Sequence, residues 1–349
     1  MIDLDDEGAV AAADRGRMLG AVAELADQCR AGYATGRAAI AAGPTTALVF
    51  AGMGGSGVAG DVVRAVFGDR LCVPVVVVRA AELPAFCGPG TLVLASSYSG
   101  RTAETLEAFD DAVRRGAAVA TITSGGALVE RADDAGAAVA RIPSGLMPRA
   151  AFGLLVFAAI GIVEAAGLLG SVADEVAVAC GELDGVTATL GPAVPASVNE
   201  AKRVAAAIGE RMPVVWGEEG VASTAAARWR TQMNENAKVP AMSSALPELD
   251  HNEVVGWFGR TGERFAVVAL RHEGERPEDA ARFAPSLEIA ADSRAATLQV
   301  WARGSSPLSR LLSLVAIGDH ASVYLAALRG VDPTPIDAIV RLKRALADA

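Results

Sequence analysis

Two short turns carry the residue types from which an anion site can be built. Gly52-Met53-Gly54-Gly55-Ser56-Gly57 follows an apolar run at 47–51, and Ser96-Ser97-Tyr98-Ser99-Gly100-Arg101-Thr102 closes a second run at 91–96. A segment of helical periodicity follows each turn. Glycines or hydroxyls therefore stand at a helix N-terminus, where free N–H groups and the helix dipole favour negative charge. Glycine allows close backbone approach and Ser and Thr add O–H donors, so such a cradle needs no formal positive charge. Each turn alone has a plainer reading, a packing turn for the first and ordinary N-caps for the second. Two on neighbouring strands favour the anion. The first has the G-x-G-x-x-G spacing, but the next strand ends in Val78-Arg79, with no acidic residue for a ribose, so it is not read as a dinucleotide fingerprint.

The elements that must hold these turns follow from periodicity. Met18, Val22, Leu25 and Cys29 set a helical pattern over 9–40. Strands are predicted at 47–51, 73–79, 91–96 and 117–123, with helices at 58–67 and 102–115, the alternation of a parallel sheet with βαβ crossovers. Residues 152–170 are apolar except for Glu164 and approach the roughly 20 needed to span a bilayer. The carboxylate, the glycines and the absence of flanking Lys/Arg clusters argue instead for a helix buried between domains or at a subunit interface. Beyond it, helices are predicted at 196–208, 221–236 and 308–329, and strands at 213–217, 265–271 and 297–303. The expected architecture is α/β, two similar subdomains that are each a mostly parallel sheet flanked by helices. The expected boundaries are 1–150 with a leading helix, a connecting helical segment at 151–195, and 196–349 with a C-terminal helical tail.

Composition narrows the partners. The 349 residues hold 31 basic and 41 acidic side chains, a net charge of −10, which disfavours a nucleic-acid partner. At 52% hydrophobic the chain is not disordered, and 5% aromatic suits helices on a buried parallel sheet. Lysine occurs only at Lys202, Lys238 and Lys343, so each draws notice. Cys29, Cys72, Cys87 and Cys180 show no metal or redox spacing and are read as small hydrophobes. The acidic N-terminus lacks a basic stretch followed by an apolar one, so no signal peptide is read and a cytoplasmic protein, not a membrane one, is expected.

Together, GMGGSG and SSYSGRT resemble the sugar isomerase (SIS) domain, a flavodoxin-like α/β unit that binds phosphosugars. Gln232-Met233-Asn234-Glu235-Asn236-Ala237-Lys238, Pro247-Glu248-Leu249-Asp250-His251-Asn252-Glu253 and Met147-Pro148-Arg149-Ala150-Ala151-Phe152 are similar to segments of the bifunctional phosphoglucose/phosphomannose isomerases. So are Ser322-Val323-Tyr324-Leu325-Ala326, Gly330-Val331-Asp332-Pro333 and Leu342-Lys343. The resemblance implies two SIS subdomains, with phosphate held by Ser97, Ser99 and Thr102 and with Gly55 and Ser56 lining the adjacent turn. It implies Glu235 as base, His251 in ring opening, and Arg149 and Lys343 as site cations. It also implies a homodimer in which His251 comes from the neighbouring subunit.

The chemistry asks for these types. Aldose–ketose isomerisation moves a proton between C1 and C2 through a cis-enediolate, so one carboxylate must remove and return it. Ring opening takes a proton from one oxygen and delivers one to another, which suits a histidine. Enediolate charge wants a fixed cation. Neither metal nor cofactor is expected. Thr334 is a small residue expected to leave space near C2 for both epimers, and Lys238 is read either as a structural ion-pair partner or as a tuner of Glu235. His272 and His320 have no motif that assigns them chemistry. The competing functions are a non-catalytic phosphosugar-binding SIS protein and a specialised amidosugar phosphate isomerase.

Overall fold

The structure is a computed structural model that describes residues 2–39 and 44–347. The predicted leading helical stretch forms three helices, α1 (Glu7–Ala13), α2 (Met18–Ala23) and α3 (Leu25–Ala38). Its predicted end, Ile40, lies outside the described residues. Chain contacts divide the protein into two units, Glu24–Asp184 with Gly304–Arg310, and residues up to Ala23 with Gly185–Arg303 and from Leu311 onward. These divisions depart from the expected boundaries at three places. The expected connecting segment 151–195 is not separate: its residues up to Asp184 belong to the first unit and those from Gly185 to the second. The N-terminal segment joins the C-terminal unit, where Asp5 Oδ1 accepts from Ala196 N at 2.7 Å and from Lys202 Nζ at 3.0 Å. A short stretch ahead of the long C-terminal helix joins the other unit, where Ser305 N donates to Glu182.

The first unit carries β1 (Ala47–Gly52), β2 (Val75–Val78), β3 (Thr91–Ser96), β4 (Ala118–Thr123) and β5 (Ala138–Arg141), all parallel in the order β2-β1-β3-β4-β5. β1 and β3 are buried at every position, which is why both read as continuous apolar runs without alternation. The helices of this region are α4 (Val58–Phe67), α5 (Ala103–Arg114), α6 (Ala127–Ala135), α7 (Phe152–Ala165) and α8 (Ala173–Thr187). The apolar helix α7 lies inside this unit, packed on α3, not at the domain or subunit boundary expected for it. Small residues make the approach possible: a Cβ on Gly36 would stand 2.0 Å from Ala158 O, and one on Gly161 would stand 2.6 Å from Tyr33 O. Glu164, the lone charge in the apolar run, takes Tyr33 Oη, Arg37 Nε at 3.2 Å and Val172 N at 3.0 Å. Burial and that carboxylate push the Tyr33 phenol well above its usual range.

The second unit carries β6 (Met212–Glu218), β7 (Met242–Leu246), β8 (Phe265–Arg271) and β9 (Ala296–Trp301), again all parallel, in the order β7-β6-β8-β9. Its helices are α9 (Glu200–Ile208), α10 (Val221–Glu235), α11 (Pro277–Asp292), most of α12 (Pro307–Leu328), and α13 (Asp337–Ala347). By length and composition α12 could cross a membrane, yet its apolar window is 94% buried in the protein.

His320 sits at the centre of α12, fully buried, with Nδ1 on Ala316 O at 2.8 Å and no partner for Nε2 among the described residues. Desolvation pushes its pKa down to about 4 from 6.5. The unfolded chain therefore binds a proton that the fold refuses between those values, so this contribution is present above pH 6.5 and is lost as pH falls through 4. Urea unfolding should show about 3 kcal/mol lost from this group over that window, and His320→Leu should flatten the slope. An unchanged slope in the variant would remove His320 as the cause.

Candidate active site

Strand order decides where a ligand can sit. β1 pairs with β2 on one side and β3 on the other, so the chain leaves β1 and β3 in opposite directions and opens a crevice at their carboxyl ends. The two turns singled out from the sequence both stand there. Ser56 Oγ accepts from Tyr98 N at 3.1 Å, which joins them directly. Ser97 Oγ and Thr102 Oγ1 share a hydrogen bond at 2.9 Å, and Ser99 Oγ accepts from Arg101 N at 3.3 Å while its side chain remains exposed. Thr102 is the N-cap of α5 but makes no side-chain cap bond, so it leaves the first-turn amides of α5 to an incoming anion.

Arg149 stands against the same turn. A Cβ on Gly55 would lie 3.3 Å from Pro148 O and 3.4 Å from Arg149 Cα, so glycine there admits the turn that carries the arginine. Arg149 is 3% exposed, unusual for an arginine and suited to a fixed local cation. Tyr98, which the sequence left without a role, anchors the approach to that turn: its hydroxyl accepts from Leu146 N at 2.9 Å and donates to Pro143 O at 3.1 Å. Burial pushes its phenol pKa up, so it stays a neutral strut. Its position inside SSYSGRT was the available signal.

In the second unit Glu235 is the last residue of α10, half-buried beside a cleft of about 430 Å³ lined by Asn234, Glu235, Lys238 and residues 335–339. Lys238 closes that corner from φ +56°, with Nζ donating to Glu235 O and, at 2.9 Å, to Pro333 O. Both are backbone carbonyls, so these bonds clamp the helix end to the Gly330–Pro333 turn. Thr334 follows that turn with Oγ1 toward Gly16, whose missing Cβ would fall 2.0 Å away. It is spent on packing the N-terminal segment, which departs from the space-making role expected of it.

His251 is exposed at the end of a 3₁₀ turn, Glu248–His251. The residues around it do the holding. Leu249 is buried, Asp250 accepts from Ser286 Oγ at 2.7 Å and Arg282 Nη1 at 3.1 Å, and Glu253 accepts from Trp216 Nε1 at 2.9 Å. Ser286 and Arg282 lie on α11, from a stretch in which the sequence offered no motif. Neither His251 nor Lys343 lines the Glu235 cleft; Lys343 is exposed on α13. The other histidines stand apart: His272 Nδ1 accepts from Gly274 N at 3.1 Å, so its Nε2–H donates to Glu218 at 2.8 Å in a buried pair.

Residues 45–144 match the SIS domain model, and residues 197–346 match that of the bacterial phospho-glucose isomerase C-terminal SIS domain. The bifunctional phosphoglucose/phosphomannose isomerase of Caldicellulosiruptor bescii is 36% identical over 303 residues, 86% of this chain and 89% of that protein. The chain belongs to the bifunctional phosphoglucose/phosphomannose isomerase family. The family member of Aquifex aeolicus is 34% identical over 87% of this chain and 91% of its own. A solved structure of a glucose-6-phosphate isomerase like protein from Thermus thermophilus superposes with a TM-score of 0.64 at 21% identity, covering 99% of both chains, a likeness of fold.

Proposed function

We propose that this family member interconverts glucose 6-phosphate and mannose 6-phosphate with fructose 6-phosphate through a cis-enediolate. The observation that carries the reading is Glu235, a half-buried carboxylate at the rim of a cleft, in a chain of this family. A partly desolvated glutamate is suited to take the proton from one carbon and return it to the other. The phosphate is held by Ser97, Ser99, Thr102 and the α5 amides, with Gly55 and Ser56 lining the neighbouring turn. Arg149 and Lys343 offset the enediolate charge. No step calls for a metal or cofactor.

His251 opens the sugar ring, contributed by a second copy of the chain. Support comes from its exposure away from the Glu235 cleft and from its neighbours: Val255 is 77% and Phe258 81% exposed, an apolar surface suited to burial against another subunit. The reading places the protein in the cytoplasm, free of nucleic-acid and membrane partners, in line with four free cysteines. A coupled assay on purified protein with each 6-phosphate separately tests it. Turnover on both sugars is expected; turnover on one removes the bifunctional label, and binding without turnover on either would mark a phosphosugar-binding protein instead.

A further inference from the structure

One stripe of α10 is buried against α12 yet is not apolar. Arg228, Gln232 and Asn236 recur at i, i+4 and i+8 and are 4%, 0% and 0% exposed. Arg228 forks Asp319, Nε to Oδ1 at 3.0 Å and Nη2 to Oδ2 at 2.6 Å. The next link begins directly after the base, where Asn236 Nδ2 donates to Ser322 Oγ at 2.8 Å and Ser322 Oγ donates to Asp319 O at 2.6 Å. Between them Trp229 lies over Gly318 and donates from Nε1 to Leu314 O at 2.8 Å. All of these partners belong to α12.

Burying a charge pair and an amide here is costly, and apolar residues of the same volume would hold the two helices at least as firmly. Directional bonds supply what apolar packing does not, a single rotation and register of one helix on the other. Glu235 lies seven residues, nearly two full turns, after Arg228 and directly before Asn236, so the seam fixes the helical turn from which its carboxylate projects. A rotation of α10 by roughly 20° would carry a carboxylate at the helix surface by about 2 Å. Displacements of about 1 Å at a reacting group can cost about 10²-fold in rate.

We propose that the Arg228–Asp319 and Asn236–Ser322 links are positioning devices for the base. The proposal rests on the isomerase reading, with Glu235 as base. Two variants test it beside wild type and Glu235→Gln: the paired swap Arg228→Met with Asp319→Leu, and Ser322→Ala. Each is assayed on both sugar phosphates at a temperature where thermal unfolding shows it fully native. The expected result is a kcat lower by about tenfold or more with KM changed less than about twofold, and for the paired swap a Tm no lower than wild type. If the paired swap does not fold, Ser322→Ala decides by the same criterion. A kcat within twofold of wild type, or a loss carried wholly by KM, overturns the proposal while the isomerase reading stands. A wild type inert on both sugars overturns that reading, and this one with it.

Discussion

Replacing Glu235 with glutamine is expected to lower kcat by about 10²- to 10⁴-fold while the chain stays folded and keeps its affinity for sugar phosphate. The amide has the shape of the carboxylate but can neither take the C2 proton nor return it at C1. Glu235 ends α10 at a half-buried position, so the change asks little of the core, and the proposed phosphate-binding turns lie on other elements. The checks are a coupled assay for turnover, a competitive inhibitor titration for binding and a thermal scan for folding. Equal turnover by variant and wild type would show that another group moves the proton. Loss of turnover together with loss of the unfolding transition would show a structural residue instead.

The second large effect is expected at Gly100. Its φ is +61°, and a Cβ there would stand 1.7 Å from Gly125 O and 2.8 Å from Thr123 Oγ1. Gly100 N donates to Ser97 O at 3.0 Å, and Gly100 O accepts from Leu128 N at 3.0 Å, so the turn cannot shift without releasing Ser97 and the start of α6. Gly100→Ala adds about 1 kcal/mol or more of left-handed strain to an overlap with backbone, and an overall loss of about 3 to 5 kcal/mol is expected. Any folded fraction should bind sugar phosphate at least tenfold more weakly, because the Ser97, Ser99 and Thr102 hydroxyls no longer converge. Ser97→Ala is the contrast, with weaker binding at nearly unchanged stability. Urea unfolding and KM for both variants separate the two. A Gly100→Ala protein as stable and as tight-binding as wild type would mean that the turn is free to remodel.

Much of the first unit was legible because its signals are local. Buried strands without alternation, a glycine turn and a hydroxyl turn each lie within a few consecutive residues. The predicted bounds of β3, α4 and β8 are those observed. β7 was not read: Met242–Leu246 is short and carries two serines, and its place at the sheet edge comes from pairing with β6. α11 was not read as a helix, although two of its residues grip Asp250 and so fix the turn bearing His251. Glu248–Glu253 reads as a string of polar candidates. In three dimensions most of it is scaffold around one exposed imidazole.

The lysines draw the same line. Their scarcity could be counted from the sequence, but their uses could not. Lys202 is buried on Asp5 and Pro192 O, Lys238 caps the end of α10 through carbonyls, and Lys343 remains exposed on α13. By itself the sequence determined the α/β class, the two halves, the paired anion turns and the family to which NENAK and ELDHNE point, because these depend on residue type and short spacing. Only the tertiary structure decided that the turns meet across the β1/β3 switch point, that α7 is buried inside one unit, and that the turn of Glu235 is tied to α12. Those facts rest on strand order and on hydrogen bonds between residues far apart in the chain, 91 positions for Arg228 and Asp319 and 131 for Tyr33 and Glu164. Local periodicity carries no information about such pairings.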